Sequence, residues 1–239
     1  MNVETLVDAP PALANLFARR LEGLVSMAPD AGRRFAIALP GGSVAEAFLP
    51  VLAAATLEWK RIDVFWADER AVPEQHADSN YGLARRLLLE RAAGARFHRI
   101  RGEAPDIQAA AAEYEAELRT RLGDPPALDV ALLGVGADGH VCSLFDGHAA
   151  LHERTRLVVA VQDSPKPPPR RITLTLPALR QARLLVVAAF GAAKADVVRR
   201  ALRDPGARLP VALALRQAAR ALVLLDAASA SAAQVGTRR

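Results

Sequence analysis

Apolar positions recur along this chain at two spacings, and the alternation between them outlines an architecture. From Pro10 to Met27, the residues Leu13, Leu16, Phe17, Leu21, Leu24 and Val25 fall at helical spacing and predict an amphipathic helix. Arg34–Leu39 is a short apolar run that reads as a strand buried on both faces. It ends in Pro40-Gly41-Gly42-Ser43, and a second helical pattern follows through Ala45, Phe48, Val51 and Leu52. Ile62–Ala67 is the next strand, closed by Asp68-Glu69-Arg70; Ser79 then caps a helix through about Ala92, and Asp106–Leu122 is another helix. Gly123-Asp124-Pro125-Pro126 links that helix to Val130–Leu133, a continuous apolar strand that opens into Gly134-Val135-Gly136-Ala137-Asp138-Gly139-His140. Arg156–Val161 and Arg170–Thr175 read as strands on either side of a stiff loop, Ser164–Pro169. Leu184–Phe190 is a buried strand ending at Gly191, with a helix from Ala192 to Leu202 that carries Lys194 in its first turn. Val211–Leu215 is a short segment, Ala221–Leu225 a last strand, and Ala227–Arg239 a small, polar tail expected to fray. Strands alternating with helices predict a doubly wound α/β fold, a mostly parallel sheet with helices on both faces, in a single domain over residues 1–239.

Composition narrows the functional classes. The chain has 239 residues, enough for a substantial core. No apolar run approaches a membrane span, and the first residues lack the basic start and apolar centre of a secretory signal, so a cytoplasmic protein is expected. The single cysteine, Cys142, cannot form an intrachain disulfide, and the five histidines follow no metal-site spacing. The net charge of +5 comes from arginines scattered in pairs through the whole chain, and aromatic residues make up only 5%, too few for the stacking platforms of a nucleic-acid binder. A modest positive field instead suits a small anionic substrate.

Candidate chemistry sits at the carboxyl ends of the predicted strands. Gly41, Gly42 and Ser43 at a helix start offer free backbone amides and a helix dipole to a phosphate, although an ordinary capped turn has the same sequence. Asp68, Glu69 and Arg70 form either a structural ion cluster or an arginine held by two acids before an anionic ligand. Asp138 and His140 bring an acid and an imidazole to a glycine turn, where proton transfer near neutral pH becomes available. Lys194, one of three lysines, opposes the dipole of its own helix, which draws attention to it. Ser43, Arg70 and His140 all fall on one edge of the predicted sheet, the edge where open α/β sheets bind ligands.

These residues resemble a known family. Leu39-Pro40-Gly41-Gly42-Ser43, Trp66-Ala67-Asp68-Glu69-Arg70 with Ser79-Asn80, Gly134–His140 with Ser143-Leu144-Phe145, Arg171–Thr175 and Gly191-Ala192-Ala193-Lys194 are similar, in order, to 6-phosphogluconolactonases. The resemblance implies hydrolysis of 6-phosphoglucono-1,5-lactone to 6-phosphogluconate in the oxidative pentose phosphate route, and a fold shared with glucosamine-6-phosphate deaminases. The deaminases are one alternative, but they carry a glutamate five positions after the histidine, where this chain has Phe145. A non-catalytic sugar-phosphate sensor is the other, and retention of Asp138 and His140 speaks against it. Under the lactonase reading His140 is the general base, and Asp138 orients its imidazole or helps fix the water. Gly42 and Ser43 seat the phosphate, Lys194 and Arg171 neutralise it, and Arg70 contacts either the phosphate or the oxyanion. Cys142, placed at the start of a short helix, is expected to be a packed thiol and not a nucleophile, its ionisation opposed by Asp138. No cofactor, metal ion, nucleic acid or membrane partner is expected. The protein is expected to act on a sugar-phosphate lactone as a monomer or small homo-oligomer.

Overall fold

The computed structural model describes residues 3–28 and 33–233. Its strands are β1 (Val3–Val7), β2 (Phe35–Leu39), β3 (Ile62–Trp66), β4 (Asp68–Arg70), β5 (Arg96–His98), β6 (Val130–Gly134), β7 (Val158–Val161), β8 (Arg171–Leu174), β9 (Leu184–Ala189) and β10 (Ala221–Leu225). The α-helices are α1 (Pro10–Met27), α2 (Gly42–Ala54), α3 (Asn80–Leu87), α4 (Ile107–Leu122), α5 (Leu176–Arg180), α6 (Ala195–Arg203), α7 (Pro210–Gln217) and α8 (Ala227–Ala230).

Seven strands form one sheet in the order β1-β10-β9-β6-β2-β3-β5, every neighbouring pair parallel. All residues of β2, β3, β9 and β10 are buried, because helices cover both faces of a parallel sheet and leave no polar side to alternate with. The chain winds outward from β2 through β3 to β5, then returns to β6 and winds the other way through β9 and β10. The topological switch therefore lies between β2 and β6, which pair only at Ile37–Val130 and Ala38–Ala131. Both glycine-rich turns, after β2 and after β6, leave the sheet at this crevice.

A second sheet departs from the sequence expectation. Asp68-Glu69-Arg70, expected to close the Ile62–Ala67 strand, is a short strand of its own, antiparallel to β8, with β7 on the far side of β8. Ala67 joins the two sheets, donating its amide to Leu39 O (2.9 Å) and accepting from Leu174 N (2.9 Å). Beside it, the Trp66 backbone lies beyond the reach of β5 and is satisfied by the Tyr114 hydroxyl of α4. That hydroxyl accepts from Trp66 N (2.8 Å) and donates to Trp66 O (2.9 Å).

Other differences are local. β1 and β5 escape the apolar pattern because one is a half-buried edge and the other only three residues long. The segment around Val211–Leu215 is helix α7, opened by Pro210 in its first position. The tail does not fray at its start: Asp226 caps α8 by accepting from Ser229 N (2.8 Å), and the buried Ser229 hydroxyl donates to Ala189 O (2.7 Å). Residues 234–239 of the predicted tail lie outside the described residues. No described helix is long and apolar enough to cross a membrane.

Candidate active site

A cleft opens over the switch point, and the carboxyl ends of four parallel strands supply most of its wall. Gly41, Gly42 and Ser43 follow β2, Arg70 lies just beyond β3, His140 follows β6, and Lys194 follows β9. Arg171 enters from β8. The sequence candidates other than Asp138 all line this one cleft, and Asp138 reaches it through His140.

The glycine turn after β2 is shaped by a close approach. Gly41 is the N-cap of α2 and Gly42 takes the left-handed conformation (φ 64°), so Ser43 stands in the first turn and not at the cap. A side chain on Gly41 would fall on the Asn80 amide, which donates to Asp68 O (2.9 Å) and Oδ1 (3.1 Å). The first amides of α2 lack intrahelical acceptors, and Gly42, Ser43 and Val44 of that turn line the cleft.

The acids beside Arg70 serve other partners than its guanidinium. Glu69 Oε1 accepts from the Arg70 (2.7 Å) and Asn80 (2.8 Å) amides, and its Oε2 accepts from the Tyr81 amide (2.7 Å). Burial pushes its carboxyl up to about 7 against these donors. Asp68 Oδ2 accepts from the Ser143 hydroxyl (2.7 Å). The Arg70 guanidinium donates to Asp78 O (2.8 Å), and its Nε is buried without a partner. Neither expected form, an ion cluster or an arginine held by both acids, is present; the acids are a scaffold that shapes the Asp68–Arg70 strand and orders the start of α3. The β4–β8 register sets Arg70 opposite Arg171 and Asp68 opposite Thr173, on one face of the small sheet.

His140 and Asp138 form a tight pair, with Nδ1 to Oδ1 at 2.5 Å. An ionised carboxylate only accepts, so in the neutral imidazole the proton lies on Nδ1 and Nε2 carries the lone pair. Burial acts to raise the Asp138 carboxyl, but the hydrogen bond and charge of His140 outweigh it and hold the group below its usual range. The His140 ring also leans on the buried Phe145 ring, centroids 4.6 Å apart. A side chain at Gly136 would meet both His140 and Asp138, which is why glycine stands there.

Cys142 does not start a helix. It occupies a left-handed turn (φ 53°), and Val141 and Leu144 bridge around it. The cysteine is not fully packed but partly exposed at the cleft wall; desolvation, with the charge of Asp68 and not Asp138, still pushes its thiol well above the ordinary range. Lys194 closes a short 3-10 turn and caps α6 instead of lying inside a continuous helix. Burial lowers its ammonium, Asp138 opposes that shift and Lys166 adds to it. Lys166 is the residue sequence reasoning passed over: its Nζ lies 3.8 Å from Asp138 Oδ2. Its only signal in the sequence was the scarcity of lysine. Among the described residues no three His, Cys, Asp or Glu side chains gather as a metal-ion site.

Comparison with known proteins places the chain and its fold in a known family. The family model described as glucosamine-6-phosphate isomerases/6-phosphogluconolactonase matches residues 8–224. A 6-phosphogluconolactonase from Homo sapiens is 41% identical over 229 residues, covering 92% of this chain and 87% of that one. A 6-phosphogluconolactonase from Mycobacterium tuberculosis is 43% identical over 195 residues, 77% of this chain and 79% of that one. The solved 6-phosphogluconolactonase from Trypanosoma cruzi superposes with a TM-score of 0.87 at 26% identity, over 97% of each chain. The chain belongs to the glucosamine-6-phosphate isomerase/6-phosphogluconolactonase family.

Proposed function

We propose that this chain hydrolyses 6-phospho-D-glucono-1,5-lactone to 6-phospho-D-gluconate, the activity its relatives are named for, by water that His140 activates. The observation that carries the reading is the 2.5 Å His140–Asp138 pair in a cleft whose other charged groups are mostly cations. With Nδ1–H held by Asp138, Nε2 accepts a proton from water as the oxygen attacks the lactone carbonyl. The tetrahedral oxyanion collapses, the bond from the carbonyl carbon to the ring oxygen breaks, and the imidazolium returns its proton to that oxygen. The product acid then ionises, and no covalent enzyme intermediate is needed.

The phosphate sits on the amides of Gly42 and Ser43, with Lys194 and Arg171 against its charge. Arg70, beside Arg171 on the same face of the small sheet, contacts the anion as well. The burial of Phe145 against His140 supports hydrolysis over deamination, since the carboxylate that proton shuttling between sugar carbons needs has no place there. One continuous hydrophobic core supports a single working domain over residues 1–239. The same reading makes the protein a cytoplasmic monomer or small homo-oligomer that engages no nucleic acid. The test is a coupled assay with freshly generated lactone, run against glucosamine 6-phosphate. Turnover of the lactone alone is expected, and turnover of the amino sugar alone would overturn the proposal.

A further inference from the structure

The proline-rich loop between β7 and β8 is held in an unusual way. Arg171 is buried, and its guanidinium faces backwards along its own chain as well as toward the cleft. Nε donates to Pro168 O (3.0 Å), and Nη2 donates to Lys166 O (3.0 Å) and Pro167 O (2.9 Å). Ser164 adds a second fixing, its hydroxyl donating to Lys166 O (2.9 Å) and accepting from Lys166 N (3.2 Å). Lys166 therefore has a backbone tied at both its amide and its carbonyl, while its side chain stays half exposed (52%). A loop built only for connection needs no buried arginine to position a solvent-facing lysine.

The ammonium so positioned stands at the rim of the cleft. It lies 3.8 Å from Asp138 Oδ2, a loose pair at an exposed position and worth little to stability. Asp138 in turn holds His140, which shares the cleft wall with Lys194. Arg70, Arg171, Lys166 and Lys194 together face Asp68 and Asp138, four cations against two carboxylates.

From this arrangement we infer that Lys166 is a specificity-determining residue, a direct cationic contact to the phosphate of the bound ligand, delivered by the loop that Arg171 clamps. Arg171 then has two roles, lining the cleft and holding the loop through Nε and Nη2, while its Nη1 donates to the Ser143 hydroxyl (3.5 Å). The inference rests on the proposed reading of the site, in which the ligand is a sugar phosphate.

The test is equilibrium binding, which needs no turnover. Lys166→Met keeps the aliphatic stem and removes the charge; Lys166→Arg restores a cation. The ligands are 6-phosphogluconate, which carries a phosphate and a carboxylate, and sorbitol 6-phosphate, which carries the phosphate alone. Lys166→Met should weaken both by about tenfold, the low end for a charge-assisted contact, and Lys166→Arg should recover most of that. The acid limb of the kcat profile should keep its midpoint in Lys166→Met. A loss confined to 6-phosphogluconate would place Lys166 on the carboxylate and overturn the inference. Unchanged affinities with a displaced acid limb would also overturn it, assigning the lysine to the Asp138–His140 pair. Failure of the hydrolysis reading would show separately, in the wild-type lactone assay.

Discussion

The sharpest test of the catalytic geometry is a methyl group placed behind it, in Gly136→Ala. Gly136 is not in the left-handed region, so alanine suits its backbone. The turn keeps its own bonds, Gly136 N to His140 O (2.9 Å) and Gly139 N to Gly136 O (2.9 Å). The new Cβ, however, would stand 2.5 Å from Asp138 Oδ1 and closer still to the His140 ring. Ordinary contact needs about 3.5 Å, so the carboxylate must retreat by roughly 1 Å and the imidazole by more. The ring is hemmed by Phe145, which is itself buried and cannot yield. A displacement of about 1 Å in a positioned base costs on the order of 10²-fold in rate. That corresponds to about 2.7 kcal/mol in the barrier. Steady-state kinetics on fresh lactone, beside a thermal melt of the same preparation, separates this loss from unfolding. A folded Gly136→Ala enzyme with kcat within threefold of wild type would refute the claim that the His140–Asp138 pair does the chemistry.

Removing the base itself, His140→Ala, should lower kcat by roughly 10²–10⁴-fold while the protein still folds. Because Asp138 lies below its usual range it stays ionised in mild acid, so wild-type kcat at saturating lactone should fall as pH drops through protonation of the base it orients; a kcat that does not fall in mild acid would overturn the assignment. Lys194→Ala and Arg171→Ala should mainly raise KM, each by about 1.5–3 kcal/mol in binding. If both bind 6-phosphogluconate as tightly as wild type, the phosphate lies elsewhere. Cys142→Ala should keep most of its activity, and iodoacetamide should leave the native enzyme largely active, since burial holds the thiol protonated. An acyl group trapped on Cys142 and seen by mass spectrometry would replace the water mechanism with a covalent one.

Much of this was legible before any coordinates. Continuous apolar runs can be satisfied only between two covered faces, so the core strands β2, β3, β6, β9 and β10 declared themselves, and their alternation with helices implied a parallel sheet. Glycines at strand ends marked the turns, and an acid two residues from a histidine marked the chemistry, because local backbone geometry depends on neighbours in sequence. The tertiary structure decided everything that depends on partners far along the chain. β4 exists only because β8, a hundred residues later, supplies its hydrogen bonds, and this pairing sets Arg70 beside Arg171. The edges β1 and β5 carry too little apolar pattern to be read alone, since what makes them strands is the neighbour they pair with. Gly136 looks like any turn glycine until the His140 and Asp138 side chains fold back over it. Lys166 looks like a solvated loop lysine until Arg171 is seen to hold its carbonyl. Sequence patterning records what each residue demands of solvent and backbone, whereas a site is made of side chains from separate strands, and only the packed sheet brings their ends to one edge.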